Sequence, residues 1–143
     1  MQVPSNALIL ATGLLLAAPA TAATLAVEVG SDLKAGDHIA VALYQDEASW
    51  LNKAFRASRV PVSEALGPTP RQTLSFADLP PGRYAVAVYV DRNGNGRLDR
   101  GMFGIPSEPY GFSNGGGRFG PPDFDAALID VVDGDTAIRI ELN

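Results

Sequence analysis

Short runs in which apolar and polar residues alternate recur along the chain, and they constrain its fold more than any other feature. The clearest is residues 84–90, where a tyrosine and three valines share one parity while the small residues Ala85 and Ala87 share the other. Because successive side chains of a strand point to opposite faces, each such run predicts a strand with one buried face. Comparable runs occupy residues 25–29, 39–43, 71–76, 124–128 and 138–142.

Residues 46–56 depart from this period. Their apolar side chains, from Trp50 to Phe55, are spaced to share one face of a helix, and Asp46 suits the N-cap. Pro61 and the Gly-Pro-Thr-Pro run that follows indicate loop. There is no alternation of strands with long helices. We therefore predict an all-β chain that forms a single antiparallel β-sandwich with one short helix.

Residues 101–122 contain seven glycines and four prolines, yet they also carry aromatic residues, including Tyr110 and Phe112. A disordered linker would lack such side chains. We therefore expect a long, ordered Gly-rich loop that folds over the end of the sandwich. Loops of this kind often carry function, so Tyr110 and Phe112 are candidate ligand-binding residues.

The first 23 residues are predicted to be a signal peptide. Residues 7–20 are an almost unbroken apolar run, and Ala20-Thr21-Ala22 then supplies a small–x–small cleavage pattern. The run is too short to span a bilayer as a helix, although the absence of a preceding Lys or Arg leaves an uncleaved membrane anchor as an alternative. We expect one domain over residues 24–143, without a membrane span, in the periplasm or outside the cell.

Composition excludes several classes of protein. With 16 acidic and 11 basic residues the formal net charge is −5, so we expect no nucleic-acid binding. The absence of cysteine excludes disulfides, thiolate metal sites and a cysteine nucleophile. The single histidine, His38, is expected at a strand edge rather than as a catalytic base. Exported domains with many loops often use a disulfide or a metal for stability, and without cysteine only the metal remains.

Directly after the clearest strand, residues 91–99 match the first three-quarters of an EF-hand calcium loop. Oxygen-bearing side chains occupy positions 1, 3, 5 and 9, a glycine occupies position 6, and the backbone carbonyl of position 7 would also bind. These ligands are Asp91, Asn93, Asn95, Asp99 and, through its carbonyl, Arg97. The pattern predicts a Ca²⁺ site.

The bidentate glutamate of an EF-hand is missing, because Met102 stands at position 12. Glu108, Asp123 and Asp125 are therefore the candidates to complete the coordination, and so few charged ligands indicate weak binding, in the range of about 10⁻⁴–10⁻³ M. The alternative is that the two Asn-Gly pairs form turns held by hydrogen bonds from the Asp and Asn side chains.

Three segments resemble a known family. Residues 76–84 read Phe-Ala-Asp-Leu-Pro-Pro-Gly-Arg-Tyr, a corner found in many transthyretin-like and collagen-binding B-type sandwiches. Residues 104–114 (Gly-Ile-Pro-Ser-Glu-Pro-Tyr-Gly-Phe-Ser-Asn) and 120–127 follow the calcium-type loop. Together they make the chain resemble the exported bacterial proteins that share the domain of unknown function 2141. The resemblance implies an exported Ig-like or transthyretin-like sandwich. Val90 replaces a histidine that members often have, which argues against histidine chemistry.

These observations predict a non-catalytic exported protein whose calcium-type loop pins the Gly-rich loop for binding or envelope structure, with an unknown envelope or extracellular ligand. One alternative is a carbohydrate- or peptide-binding module that uses Tyr110 and Phe112. Another is a hydrolase that uses Glu108, Asp123 or Asp125 as acid and base, although no nucleophile or activating base is recognisable.

Overall fold

The computed structural model describes residues 22–30, 32–63, 67 and 70–143. The predicted signal peptide, apart from its last two residues, lies outside them. The strands of the described residues are β1 (Ala23–Gly30), β2 (His38–Tyr44), β3 (Arg56–Pro61), β4 (Arg71–Leu79), β5 (Gly82–Asp91), β6 (Tyr110–Phe112), β7 (Leu128–Val131) and β8 (Gly134–Glu141). The prediction of an all-β chain is confirmed. Among the described residues, no helix has the length and apolar character needed to cross a membrane.

The strands form two sheets. The first has three strands in the order β4-β1-β8, and the second has the order β3-β2-β5-β6 with β7 also paired to β5. Strand β2 lies along one edge of β5, while β6 and β7 share the other edge. Side chains from both sheets form one buried cluster, which includes Leu25, Val27, Ile39, Val41, Val86 and Val88.

The alternating period explains which face of each strand is buried. In β5, Tyr84, Val86, Val88 and Val90 all lie in the core, as their shared parity predicts. The β4–β5 corner is fixed by the Tyr84 hydroxyl, which donates a hydrogen bond to the Pro80 carbonyl at 2.6 Å.

The predicted helix over residues 46–56 is wrong. The chain forms only a 3₁₀ turn over Glu47–Ser49, capped by the Asp46 carboxylate, which accepts from the Ser49 N–H at 2.9 Å. Leu51 then adopts a left-handed conformation (φ 58°), which interrupts helical geometry. Asp46 was correctly identified as a cap. Residues 124–128, predicted as a strand, instead contain the 3₁₀ turn Asp125–Ala127 followed by β7.

One strand pair departs from the predicted antiparallel arrangement, because β1 and β8 are parallel and in register from Ala23↔Gly134 to Gly30↔Glu141. These are the first and last strands, and no tight turn connects them. An alternating pattern is the same in either direction, so it specifies which face is buried but not strand direction. The short strands β3 and β6 were also not predicted.

Candidate functional site

The site lies on the face of the five-stranded sheet that points away from the core. In antiparallel strands, directly paired residues share a face, so Ala42, Ala87 and Phe112 form one row across β2, β5 and β6. Tyr89 and Tyr110 pair in the adjacent row. Alanine methyl groups therefore alternate with aromatic rings on this face.

Two segments fold back over this face. Residues 92–108 are anchored by the Tyr89 hydroxyl, which donates to the Gly96 carbonyl at 2.8 Å. Residues 113–123 are anchored by the Tyr110 hydroxyl, which donates to the Gly117 carbonyl, and by the Trp50 indole N–H, which donates to the Pro122 carbonyl at 3.0 Å. The Gly-rich loop thus covers part of a sheet face.

Between the two segments is a groove of about 600 Å³. Its floor includes Ala42 and Ala87, and its walls include Tyr89, Tyr110 and Phe112. The floor residues are one methyl group high while the surrounding side chains are aromatic, and this difference in height creates the space.

Large apolar side chains stand exposed at the rim of the groove. Phe103 is 91% exposed and Phe119 is 99% exposed, and Ile105 is exposed beside them. Phe103 also has a left-handed backbone (φ 60°), a conformation that is costly for a bulky residue. Exposed apolar surface of this kind is characteristic of binding sites.

Two arginines, Arg100 and Arg118, also line the groove, and none of the aspartates and glutamates that the structure describes does. The Arg100 guanidinium donates to the Gly104 carbonyl at 2.9 Å. The Arg118 side chain is exposed and makes no hydrogen bond or ion pair with any residue that the structure describes.

At the end of β5, the buried Asp91 carboxylate organises the calcium-type loop. Its Oδ1 accepts from the N–H groups of Gly94 and Asn95, and its Oδ2 accepts from the N–H of Gly96 at 2.8 Å and from the Arg59 guanidinium at 2.7 Å. Burial acts to raise the pKa of Asp91, but the hydrogen bonds from Arg59, Gly96 and Gly94 outweigh it, so this pKa lies below its ordinary value. The Asp91 carboxylate is therefore ionised at neutral pH.

The Glu108 carboxylate joins the two ends of the same loop. Its Oε1 accepts from the Arg92 N–H at 2.8 Å, and its Oε2 accepts from the Asp99 N–H at 2.9 Å. The side chain is buried, with 7% of its surface exposed. Glu108 therefore attaches the following segment to the calcium-type loop through hydrogen bonds to its backbone.

The side chains of Asn93, Asn95 and Asp99 converge within the loop. The Asn95 amide donates to both oxygens of the Asp99 carboxylate, at 2.8 and 2.9 Å, and the Asn93 amide donates to the same carboxylate. The amide oxygens accept backbone N–H groups instead, from Asn95 and Arg97. These are side-chain hydrogen bonds of the kind that the turn alternative expects. Among the described residues no group of three or more His, Cys, Asp or Glu side chains could hold a metal ion.

The structure does not bring Asp123 and Asp125 to this loop. Both are exposed, Asp125 as the first residue of the 3₁₀ turn Asp125–Ala127 and Asp123 two residues before it. The turn lies near Val86, because the Ser113 hydroxyl donates a hydrogen bond to the Ala127 carbonyl and accepts one from the Val86 N–H. Val86 is five residues along β5 from Asp91, about 17 Å in an extended strand. The carboxylates of Glu108, Asp123 and Asp125 are therefore not gathered at one place.

Tyr110 and Phe112 are brought together at the groove, with ring centroids 5.9 Å apart. Phe112 is largely buried and also packs against Trp50, at 5.8 Å. Trp50 in turn makes an edge contact with Tyr44, another groove residue, at 5.0 Å. The only tryptophan of the chain therefore lies directly behind the groove wall.

Sequence reasoning missed Arg59 as the partner of Asp91, and it missed the groove with Arg118 and Phe119. The alanines did carry a signal. Ala40 and Ala42 on β2, like Ala85 and Ala87 on β5, have the parity opposite to the core residues. Small side chains on the outward parity of two neighbouring strands indicate a recess on that face.

Comparison with known proteins gives one match. Residues 27–139 match a family described as an uncharacterized protein conserved in bacteria, DUF2141. No curated protein and no solved structure matches the chain. Because the match extends from β1 into β8 and covers most of the chain, this protein belongs to the DUF2141 family.

Proposed function

We propose that this protein is an exported, non-catalytic binding module that takes an apolar ligand into the groove on the outer face of its five-stranded sheet. The observation that carries the proposal is the combination of a recess of about 600 Å³ with exposed phenylalanines at its rim. This volume lies in the range of about 300–1,000 Å³ typical of small-molecule sites.

The chemistry of the lining favours an apolar ligand. Sugar hydroxyls require several polar side chains to bond them, whereas the walls of the groove are mainly aromatic and aliphatic, as Leu98, Ile105 and Phe112 illustrate. A ligand that covered Phe103 and Phe119 would remove their rings from water, worth about 25 cal/mol per Å² of apolar surface buried. Tyr110 and Phe112 retain the ligand-binding role expected from the sequence.

The architecture that supports this role is a β-sandwich of the Ig-like or transthyretin-like kind. The larger buried cluster, to which both sheets contribute, supports that arrangement, and the corner at Tyr84 supports the transthyretin-like relationship. Export rests on the apolar run and cleavage pattern in the first 23 residues. Ligand binding on one sheet face requires no catalytic residue, so this architecture suits a non-catalytic role.

Binding is tested with an uncharged apolar fluorophore, N-phenyl-1-naphthylamine. Its emission should increase on binding to the wild type. Ala87→Leu should abolish that increase, because the added side chain fills the floor of the groove. Ala57→Leu is the matched control, since Ala57 pairs with Ala42 on the same face but lies exposed on β3 outside the groove.

A second variant guards against misfolding. Phe119→Ser removes an almost fully exposed ring, so it should weaken fluorophore binding without changing the melting temperature. Equal fluorophore binding by the wild type, Ala87→Leu and Phe119→Ser would overturn the proposal.

A second candidate function is weak Ca²⁺ binding by the loop of residues 91–99. The observation that favours it is the convergence of Asn93, Asn95 and Asp99 on one point inside the loop. Ca²⁺ would have to replace the hydrogen bonds that the amides now make. Because only the folded loop would bind, Ca²⁺ would raise the melting temperature.

The calcium test uses Asp99 rather than Asp91, since Asp91 also holds the backbone of the loop. The melting temperatures of the wild type and of Asp99→Asn are measured in millimolar Ca²⁺ and in chelator. The wild type alone should be stabilised by Ca²⁺. Equal melting temperatures of the wild type in the two solutions would refute Ca²⁺ binding by this loop.

A further inference from the structure

We infer that the ligand of the groove is a single-chain amphiphile with a carboxylate headgroup, of the fatty-acid type, held by the guanidinium of Arg118. This inference rests on the proposed function, because it requires the groove to bind an apolar chain.

The first argument is charge complementarity. Among the described residues, two arginines and no carboxylate line the groove, within a protein whose formal net charge is −5. The positive charge is therefore local to the groove. A neutral hydrocarbon would gain nothing from these two side chains, whereas an anion beside an apolar chain would be attracted by both.

The second argument is the unequal state of the two arginines. Arg100 already donates to the Gly104 carbonyl at 2.9 Å. The Arg118 side chain makes no hydrogen bond or ion pair with any of the residues described, although Arg59, Arg71, Arg83, Arg92 and Arg139 each have an acidic partner. One free planar guanidinium matches one planar carboxylate through two parallel hydrogen bonds. A phosphate monoester carries two negative charges, so it would bind more tightly to a site with several unpaired cationic side chains.

The third argument is position. Arg118 directly precedes Phe119, whose ring is 99% exposed at the rim of the groove. Ala42 and Ala87 form the floor of the groove, below this rim. A ligand with its chain over the alanines would thus place its headgroup at the rim, where Arg118 meets it and water remains accessible. Long amphiphiles bind most favourably with this separation of apolar body and charged end.

The test measures displacement of N-phenyl-1-naphthylamine by dodecanoate, dodecanol and dodecyl phosphate, each below its micellar concentration, at pH 7.5. Dodecanoate should bind about 10- to 100-fold more tightly than dodecanol, the range expected for hydrogen bonds to a charged group. Arg118→Gln should remove most of that difference and leave dodecanol binding unchanged. Added salt should weaken only the binding of the anions.

The matched control is Arg83→Gln, which removes the same charge from an exposed position at the start of β5, outside the groove. It should preserve the preference for dodecanoate. Because Arg118 is exposed, Arg118→Gln should melt at the wild-type temperature, and Arg118→Glu should weaken dodecanoate binding further.

The outcomes separate the two proposals. Equal affinity for dodecanoate and dodecanol would overturn the carboxylate inference and leave the apolar groove intact. Tighter binding of dodecyl phosphate than of dodecanoate would overturn the choice of carboxylate. Failure of the fluorophore and of all three amphiphiles to bind would overturn the proposed function together with this inference.

Discussion

The hydroxyl of Tyr110 donates a hydrogen bond to the carbonyl of Gly117, and the ring of Tyr110 occupies the space that a side chain at Gly117 would need. A Cβ atom at position 117 would lie 2.8 Å from the ring of Phe112 and 3.1 Å from that of Tyr110. The residue also has a φ of +87°. The rings of Tyr110 and Phe112 in the groove wall therefore pack directly against the backbone of the Gly-rich loop at Gly117.

We predict that Gly117→Ala destabilises the protein and disturbs the groove wall. The substitution carries both the left-handed backbone cost of about 1–2 kcal/mol and the overlap with two rings, so the total should reach about 2–4 kcal/mol. Gly115→Ala is the matched control, since its φ of +78° is similar but nothing lies within 4 Å of its Cβ. Denaturant unfolding of both variants checks this, and equal losses would contradict the close fit.

Asp91→Asn should lower stability at neutral pH by about 2–4 kcal/mol, because a buried hydrogen-bonded carboxylate loses its charge and an acceptor. The pKa of Asp91 is lowered by the fold. Its stabilising effect is therefore complete above an ordinary aspartate pKa of about 4. It declines as the pH falls below that value and is lost below the folded-state pKa.

The difference in unfolding free energy between the wild type and Asp91→Asn should accordingly shrink on acidification. Denaturant unfolding at neutral pH and at several acidic pH values measures it. Asp130→Asn, at a side chain that is 81% exposed, should change stability by less than about 0.5 kcal/mol at every pH. If the difference in unfolding free energy between the wild type and Asp91→Asn stayed constant with pH, the charge of Asp91 would not be what stabilises the loop.

Glu108→Gln should loosen the attachment of the loop ends. A glutamine offers one acceptor oxygen where the carboxylate offers two, so the N–H of Arg92 or of Asp99 loses its partner at a cost of about 1–2 kcal/mol. Hydrogen exchange of these two amides should become faster. The exposed Glu47→Gln serves as the control, and unchanged exchange rates in Glu108→Gln would refute the bridging role.

Gly111→Ala should destabilise the contact between β6 and the end of β8. A Cβ atom at position 111 would lie 2.8 Å from a methyl of Ile140 and 3.0 Å from the Glu141 carbonyl. We expect a loss of about 1–3 kcal/mol from overpacking. Gly82→Ala, in a strand but with no atom closer than 4.0 Å, should be neutral or slightly stabilising. Thermal melting distinguishes them, and a neutral Gly111→Ala would mean that the strands move apart without cost.

The sequence allowed most strands to be predicted because burial is a local property of an alternating pattern. In β5, the parity of Tyr84 and the following valines was sufficient to identify the core face. The same reasoning could not assign a direction to β8 relative to β1, and it could not find β6, whose three residues are too few to establish a period. The helix at Trp50 failed because apolar spacing does not reveal the left-handed residue Leu51.

The candidate site was predicted only in part because its members meet through strand register. The sequence predicts Asp91 and Glu108 as Ca²⁺ ligands, and the structure brings both to the calcium-type loop, where they accept hydrogen bonds from backbone N–H groups. Arg59 reaches Asp91 across 32 positions of sequence, which depends on the pairing of β3, β2 and β5. The groove depends on the same registers, so no single segment of sequence contains it.

The alanines at positions 42 and 87 face away from the main core, although they lie on strands that build it. A larger residue at either position would close the recess while leaving the opposite, core-forming face of the strand unchanged. We therefore expect two groups among members of the family that share these strands, whatever their overall sequence identity. Members with small residues at both positions should have an open groove, and members with a larger residue at either position should not. Gain or loss of the proposed binding groove could then occur during divergence by one exchange.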